Sequence, residues 1–477
     1  MAVAVETVGK RARRGGEPKG FLAEARALLV VGLPLVFGQL AWMAMLTTDT
    51  VILGRLGPES LAAGALGHSV VIVPMLFLIG LAQGAVPLMA HAVGARTRHV
   101  REVRRTVRQA FWATGMICVP AIAALWFVGD LLLLIGQDPA LVDLTEDYVR
   151  AVAPMLLTYT WFAVLRNFTA TYRRQRAALI IALAQVPVNG VLAYGLVFGD
   201  FGLPRLGVIG AGVASSLSGL TALIALGLYL RTDRQFRRFR LLGRFWRPDW
   251  PRLGHVFRIG TPIGLTITFE VLLYSGAAQL MGLIGPLALA AHQIALQVAS
   301  VTFMVALGIG QAGAIRVGIA TGARDPAAVG RTGWTALVLG CGFMGSMAIV
   351  MVVWRSEIAG LFLPDVTSPE NREVVAIAAG FLILAGVFQV LDAAQVVTVN
   401  LLRGLRDARV PMLYALLCYW VLGLGLSWLL AFPLGLGGMG IWWSFVAALA
   451  VFASLLVHRF AHRDRLTTYR DLFGGAA

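Results

Sequence analysis

The sequence predicts an all-α membrane protein: twelve transmembrane helices in two six-helix lobes related by a parallel pseudo-two-fold repeat. Three observations lead there. Of 477 residues, 58% are hydrophobic and only 13% charged, with mean hydropathy +0.79; soluble domains carry about twice that charge. The arginines collect in alternate loops between apolar runs. Residues 32–96 also align without a gap onto residues 260–324. The formal net charge is +16, with Lys10 and Lys19 the only lysines. A basic soluble chain would suggest nucleic acid. Here the charge sits between membrane-length segments, so no nucleic-acid partner is expected and membrane lipid is the surrounding medium.

In chain order the expected elements are a tail over 1–27 and spans at 28–53, 64–93, 107–133, 148–171, 177–198 and 207–230. A linker at 231–255 follows, then spans at 256–282, 288–320, 333–354, 374–401, 410–431 and 438–460, and a tail over 461–477. Each span meets or approaches the ~20 apolar residues that cross a bilayer, and the longer ones imply tilt or protrusion. The first 27 residues are polar and basic, so no signal peptide is expected. Cys118, Cys341 and Cys418 fall inside apolar runs without disulfide or zinc spacing and read as small core residues.

The loops fix the orientation expected. The N-terminal tail carries Lys10, Arg11, Arg13, Arg14, Lys19 and Arg26, and the second loop Arg96, Arg98, Arg101, Arg104 and Arg105. The fourth loop carries Arg173, Arg174 and Arg176. The linker has Arg231, Arg234, Arg237, Arg238, Arg240, Arg244, Arg247 and Arg252. Arg324, Arg331, Arg403, Arg406 and Arg409 fall to the eighth and tenth loops, and Arg459, Arg463, Arg465 and Arg470 to the C-terminal tail. The alternate loops are acidic or nearly uncharged, as at Asp138, Asp143, Glu146 and Asp147. The positive-inside rule then places both termini in the cytoplasm and the chain in the cytoplasmic membrane.

The repeat pairs Gly32, Pro34, Gly57, Pro58, Gly80, Gln83 and Arg96 with Gly260, Pro262, Gly285, Pro286, Gly308, Gln311 and Arg324. Six spans separate partners, so the two halves share one orientation about an axis along the membrane normal.

Two acids lie where a bilayer disfavours them. Glu270 is twelve residues beyond Arg258, roughly 18 Å into its helix, and Asp392 is eleven before Arg403, roughly 16 Å. A carboxylate at that depth costs a few kcal/mol and marks ion binding, proton relay or substrate charge. Hard cations take oxygen ligands, and a pair of acids can instead hold a shared proton. Tyr274 is one turn from Glu270, while Gln389 and Gln395 flank Asp392 at i−3 and i+3 on its face. These five form the candidate coupling site, with Glu270 and Asp392 as metal ligands if the ion is Na⁺. In the first lobe, Asp49 and Asn189 make a second polar site. His292, Gln293 and Gln297 are candidates to line the cavity, and Arg166 and Arg316 are expected to snorkel from helix ends. Pro34, Pro187 and Pro262 mark bends. No phosphate loop, nucleophile elbow, metal-binding histidine cluster or dinucleotide fingerprint appears. An enzyme and a bound cofactor are therefore not expected, and transport would run on an ion gradient.

The run from Gly285-Pro286 through Ala291-His292-Gln293, with Phe303-Met304 and Ile315-Arg316-Val317-Gly318, resembles the MATE family of multidrug and toxic-compound extrusion transporters, in its NorM-type branch. Asp49 before Gly54-Arg55, Asn189, Glu270, and Leu391-Asp392 with Leu402-Arg403-Gly404 carry the same resemblance through about residues 28–460. It implies a V-shaped pair of bundles that rocks between two states and exports amphiphilic, often cationic, small molecules against entering H⁺ or Na⁺. Glu270 and Asp392 fall on the family's C-lobe cation acids, Asp49 and Asn189 on its N-lobe polar site. Some relatives carry a tyrosine one turn before the second acid, where this chain has Phe388. Na⁺ needs several oxygens at once and a proton one base, so H⁺ is the favoured ion. A flippase of the same superfamily is the nearest rival, with more helices and a more cationic cavity; a channel or receptor is the rival from another class. A monomer is expected.

Overall fold

A computed structural model describes residues 20–473 apart from 97–98, 135, 242, 244 and 364–367. The expected positions Lys10, Arg11, Arg13, Arg14, Lys19, Arg98 and Arg244 lie outside the described residues. Twelve helices are long and apolar enough to cross a membrane. They are α1 (Phe21–Leu56), α2 (Pro58–Ala95), α3 (His99–Leu125), α4 (Pro139–Thr171), α5 (Arg176–Phe198), α6 (Val208–Thr232), α7 (Trp250–Ile284), α8 (Pro286–Gly322), α9 (Pro326–Val353), α10 (Pro369–Gly404), α11 (Arg409–Ala431) and α12 (Gly437–Ala461). No strand occurs among the described residues.

Helix ends follow local chemistry. Asp138, Asp249, Asp325 and Ser368 cap α4, α7, α9 and α10 with side-chain oxygens on early backbone N–H groups, each before a proline in the first turn; this satisfies donors the helix leaves open. Between α1 and α2, and between α7 and α8, a single glycine turns the chain: Gly57 at φ 144 and Gly285 at φ 152. These values favour glycine, which explains why both halves keep it. The helices extend past the spans read from hydropathy. Residues 21–27 are helical rather than tail, and the linker shortens to the segment between Thr232 and Trp250. In the opposite sense, α3 ends at Leu125 and a separate short helix, Val128–Leu134, completes the third crossing.

The repeat extends to α4 and α10. Arg96 and Arg324 are left-handed at the ends of α2 and α8 (φ 59 and 56), and Arg173 and Arg406 close α4 and α10 in the same way (φ 56 and 63). The following amides, Arg174 N and Asp407 N, donate to Thr169 O and Leu402 O at 3.1 and 2.9 Å. Counting back from these matched ends puts Tyr159 at the place of Asp392, Asn167 at that of Asn400 and Ala170 at that of Arg403.

The lobes meet through α1 and α2 of the first and α7 and α8 of the second. Contact is closest toward the basic end of the bundle. A Cβ on Gly80 would lie 2.5 Å from Gly264 Cα, and one on Gly308 would meet Gly32 O at 3.2 Å. Small residues let helix backbones approach where lipid supplies no hydrophobic drive between helices. The linker is pinned to α3 at the same end. Arg105 Nε donates to Asp249 Oδ2 at 2.6 Å, Arg108 Nε to Leu241 O at 2.7 Å and Trp112 Nε1 to Phe245 O at 3.0 Å. Arg252 pairs with Glu102. The Arg105 hydrogen bond holds the Asp249 carboxyl below the usual carboxylate range.

Candidate functional site

A cavity of ≈ 450 Å³ lies between the lobes, walled by α1, α2 and α4 on one side and α7, α8 and α10 on the other. It sits on the pseudo-two-fold axis. Its lining pairs Trp42 with Glu270, Tyr159 with Asp392, Gln83 with Gln311, and His68 with Leu296. The repeat therefore keeps shape and breaks charge. Where the second lobe carries its two acids, the first carries an aromatic pair, Trp42 and Tyr159, with ring centroids 6.2 Å apart.

α10 supplies the acid wall through a stripe at helical spacing: Phe388, Asp392, Gln395, Val399 and Arg403 all line the cavity, as positions three to four apart share one face. Asp392 is 3% exposed and lines the same side of the cavity as Glu270. Tyr274 lines the same wall, its ring edge-on to Phe388 and Phe445 at 6.4 and 5.8 Å. Gln395 Nε2 donates to Tyr419 Oη at 2.9 Å. Asp392 Oδ1 and Gln395 Oε1 accept no hydrogen bond from the protein. Buried oxygens without a donor are expensive, and these two with Glu270 form an oxygen-only set suited to a proton or a hard cation. Among the described residues no cluster of three His, Cys, Asp or Glu side chains exists to hold a metal tightly.

Several expected positions fall elsewhere. Gln389 is fully buried but ties helices together: its Oε1 accepts from Thr302 Oγ1 at 2.9 Å and its Nε2 donates to Met344 O at 3.1 Å. His292 is also fully buried, its ring packed against Trp442 and Phe445 at 5.7 and 6.3 Å, off the cavity wall. Gln293 and Gln297 are exposed and do not line the cavity either. One turn of α8 separates the reading from the structure: its wall is built by Ser300, Phe303 and Met304. Arg166 and Arg316 do not snorkel. Arg166 is 8% exposed and lines the cavity. Arg316 forms a two-pronged ion pair with Glu24. Arg403, counted among loop charges, is buried inside α10.

In the first lobe, Asn189 Nδ2 donates to Asp49 Oδ1 at 2.5 Å and Ser215 Oγ to Oδ2 at 2.8 Å. All three are buried. Asp49 is therefore held by neutral donors behind the wall and does not face the central cavity.

Sequence reasoning missed Arg403, Arg166, Tyr419, His68 and Ser215. Two carried a usable signal: Arg403 is eleven residues from Asp392 and Arg166 seven from Tyr159, about three and two turns on the same face. Tyr419 carried none. It lies in a wider, π-helical stretch of α11 (Leu417–Gly425), which shifts the phase of the helix; Gly423 and Gly425 mark its end but do not specify the wider turn.

The MatE family model matches residues 34–195 and 262–429, once in each lobe. The chain is 43% identical over 443 residues to a probable multidrug resistance protein NorM of Mesorhizobium japonicum, covering 93% of this chain and 95% of that one. It is 39% identical over 428 residues to the multidrug resistance protein NorM of Burkholderia vietnamiensis, covering 90% and 91%. Among solved structures, the eukaryotic MATE transporter AtDTX14 superposes with TM-score 0.84 at 21% identity, covering 96% of this chain and all of that one. A MOP superfamily transporter from Pyrococcus furiosus superposes with TM-score 0.80 at 18% identity, covering 95% of this chain and 100% of that one.

Proposed function

The chain belongs to the MatE family and is a multidrug efflux transporter rather than an enzyme, and from that premise we propose that it is a proton-coupled antiporter of amphiphilic, cationic small molecules. The observation that carries this reading is the acid wall: Glu270 and Asp392 share one side of a cavity on the axis between two lobes. A carboxylate pair there attracts a cation from whichever side is open. Coupling ion and cationic substrate compete for the same charge, so each is released as the other binds, and the fluxes are linked without both being bound together.

The lobes pack closely at the basic end, so the described state is sealed there. By the positive-inside rule that end is cytoplasmic, and the state is outward-facing. Export would follow when the lobes rock about the Gly80–Gly264 contact. H⁺ is favoured over Na⁺ because Phe388 packs its ring against Trp442 and Phe445 and offers no oxygen. A single proton also relieves the repulsion between two acids that face one cavity. Two arginines line the same cavity but do not outnumber the acids, which favours export of cations over translocation of anionic lipid-linked sugars. The test is efflux from vesicles by Glu270→Gln and Asp392→Asn. Each is expected to abolish gradient-driven export while the protein stays inserted, and normal export by either would move the site elsewhere.

A further inference from the structure

Below the acid wall, toward the basic end, a second and much smaller chamber lies on the same axis. It has ≈ 20 Å³ of room, about one water. Its lining is again paired by the repeat: Leu35 with Ile263, Val86 with Ala314, Asn167 with Asn400. The symmetry fails once. Arg403 stands where the first lobe has Ala170.

Three side chains line both spaces: Gln83, Gln311 and Arg403. They are the floor of the upper cavity and the ceiling of the chamber. Arg403 is 6% exposed, and among the described residues no carboxylate lies within ion-pair distance of it. It lines the same cavity as Glu270. A buried guanidinium without a paired carboxylate is costly and needs a reason. Helix packing alone would be served by a neutral residue, as Ala170 shows in the matching place.

We propose that Arg403 is the electrostatic seal of the ion pathway: a fixed positive charge directly inward of the coupling acids that stops a cation bound there from passing straight on to the basic end. This deepens the antiport reading and rests on it. A cation reaching Glu270 and Asp392 from the outer side meets two attractive charges, with Arg166 on the first-lobe wall, and then Arg403, the one arginine that lines both the cavity and the chamber beneath it. A fixed arginine in a narrow pore excludes cations by this means, and the field is strong where water is scarce. Coupling needs such a seal, since a polar floor of Gln83 and Gln311 with room for a water beneath it would otherwise let protons leak without substrate moving. The arginine is a specificity-determining residue: it stops the ion without being its ligand.

The test uses the full chain in proteoliposomes without substrate, under an imposed pH gradient with a trapped pH dye and, separately, a Na⁺ gradient with tracer. Wild type and Arg403→Lys are expected to hold the gradient. Arg403→Gln should leak on the order of tenfold faster, and Arg403→Gln combined with Glu270→Gln should lose much of that leak, because the acid recruits the ion. A folded Arg403→Gln protein as tight as wild type overturns the proposal. If the neutral variant does not fold, Arg403→Lys still decides it, since a leak with the charge kept shows that charge is not the seal. Wild-type export that runs with neither gradient would instead overturn the coupling reading, and is measured apart from the leak.

Discussion

Glu24→Gln should loosen the closed end of the transporter. Arg316 Nε and Nη2 donate to Glu24 Oε1 and Oε2 at 2.6 and 2.7 Å, and Thr332 Oγ1 donates to Oε1 at 2.6 Å. Glu24 belongs to α1 of the first lobe, Arg316 and Thr332 to α8 and α9 of the second, and the three are 3%, 6% and 2% exposed. The pair is a fork-to-fork ion bridge across the lobe interface. Removing one partner of such a pair strands a buried charge at a cost of about 3–5 kcal/mol. Glutamine keeps part of the hydrogen bonding, so roughly half of that, about 2 kcal/mol, falls on the closed state. Once the lobes part at this end, water reaches Arg316 and the penalty fades. About 2 kcal/mol corresponds to a population shift of about thirtyfold. A single cysteine at Asn400, in a background lacking Cys118, Cys341 and Cys418, reports it: labelling by an impermeant maleimide from the basic side should accelerate by that order. Adding Arg316→Met removes the stranded charge and should bring the rate part of the way back. Labelling of Glu24→Gln at the parent rate, or additive effects in the double variant, would refute the bridge as a lobe clamp.

Gly264→Val should also oppose closure, since a Cβ there would sit 2.7 Å from Phe77 O; overpacking of about 1–3 kcal/mol would appear as a lower melting temperature with faster labelling at Asn400. Asp49→Asn leaves two donors, on Asn189 and Ser215, facing a side chain that is no longer all acceptor, and should lower thermal stability by about 1–3 kcal/mol; an unchanged melting temperature would mean the triad is not structural. The linker clasp is pH-dependent with a defined sign. Asp249 titrates below its ordinary value because of Arg105, so its contribution is complete above the ordinary carboxylate value and lost as pH falls through the depressed one. Pepsin cleavage of the linker should therefore rise only under strongly acidic conditions, and Arg105→Gln should move that onset to higher pH.

The fold was largely legible because it follows from periodic physics. Hydropathy marked every crossing, and the glycines at Gly57 and Gly285 marked the repeat because φ near 150 at both turns leaves little alternative. Boundaries were less legible, because Glu24 and Arg26 lower the hydropathy of the first turns of α1, although Glu24 is buried against Arg316 and Thr332 of the other lobe. The acid pair was visible because a charge in an apolar run is conspicuous. Arg403 and Arg166 were hidden by the opposite circumstance: near helix ends an arginine reads as an anchor, and only the tertiary packing of the lobes shows that those turns are inside the protein. His292 misled for a related reason. A polar residue in a spanning helix suggests a cavity, yet its ring is enclosed by Trp442 and Phe445, which no local pattern in α8 encodes.

The central claim is that a cation passing through the Glu270–Asp392 wall drives export. The direct measurement is efflux of a cationic amphiphile from proteoliposomes, first with an inward pH gradient and no Na⁺, then with a Na⁺ gradient at uniform pH, for wild type and Asp392→Asn. The account predicts that the pH gradient alone drives wild-type efflux and that Asp392→Asn abolishes it. Efflux that needs neither gradient, or that continues undiminished in Asp392→Asn, would contradict the account.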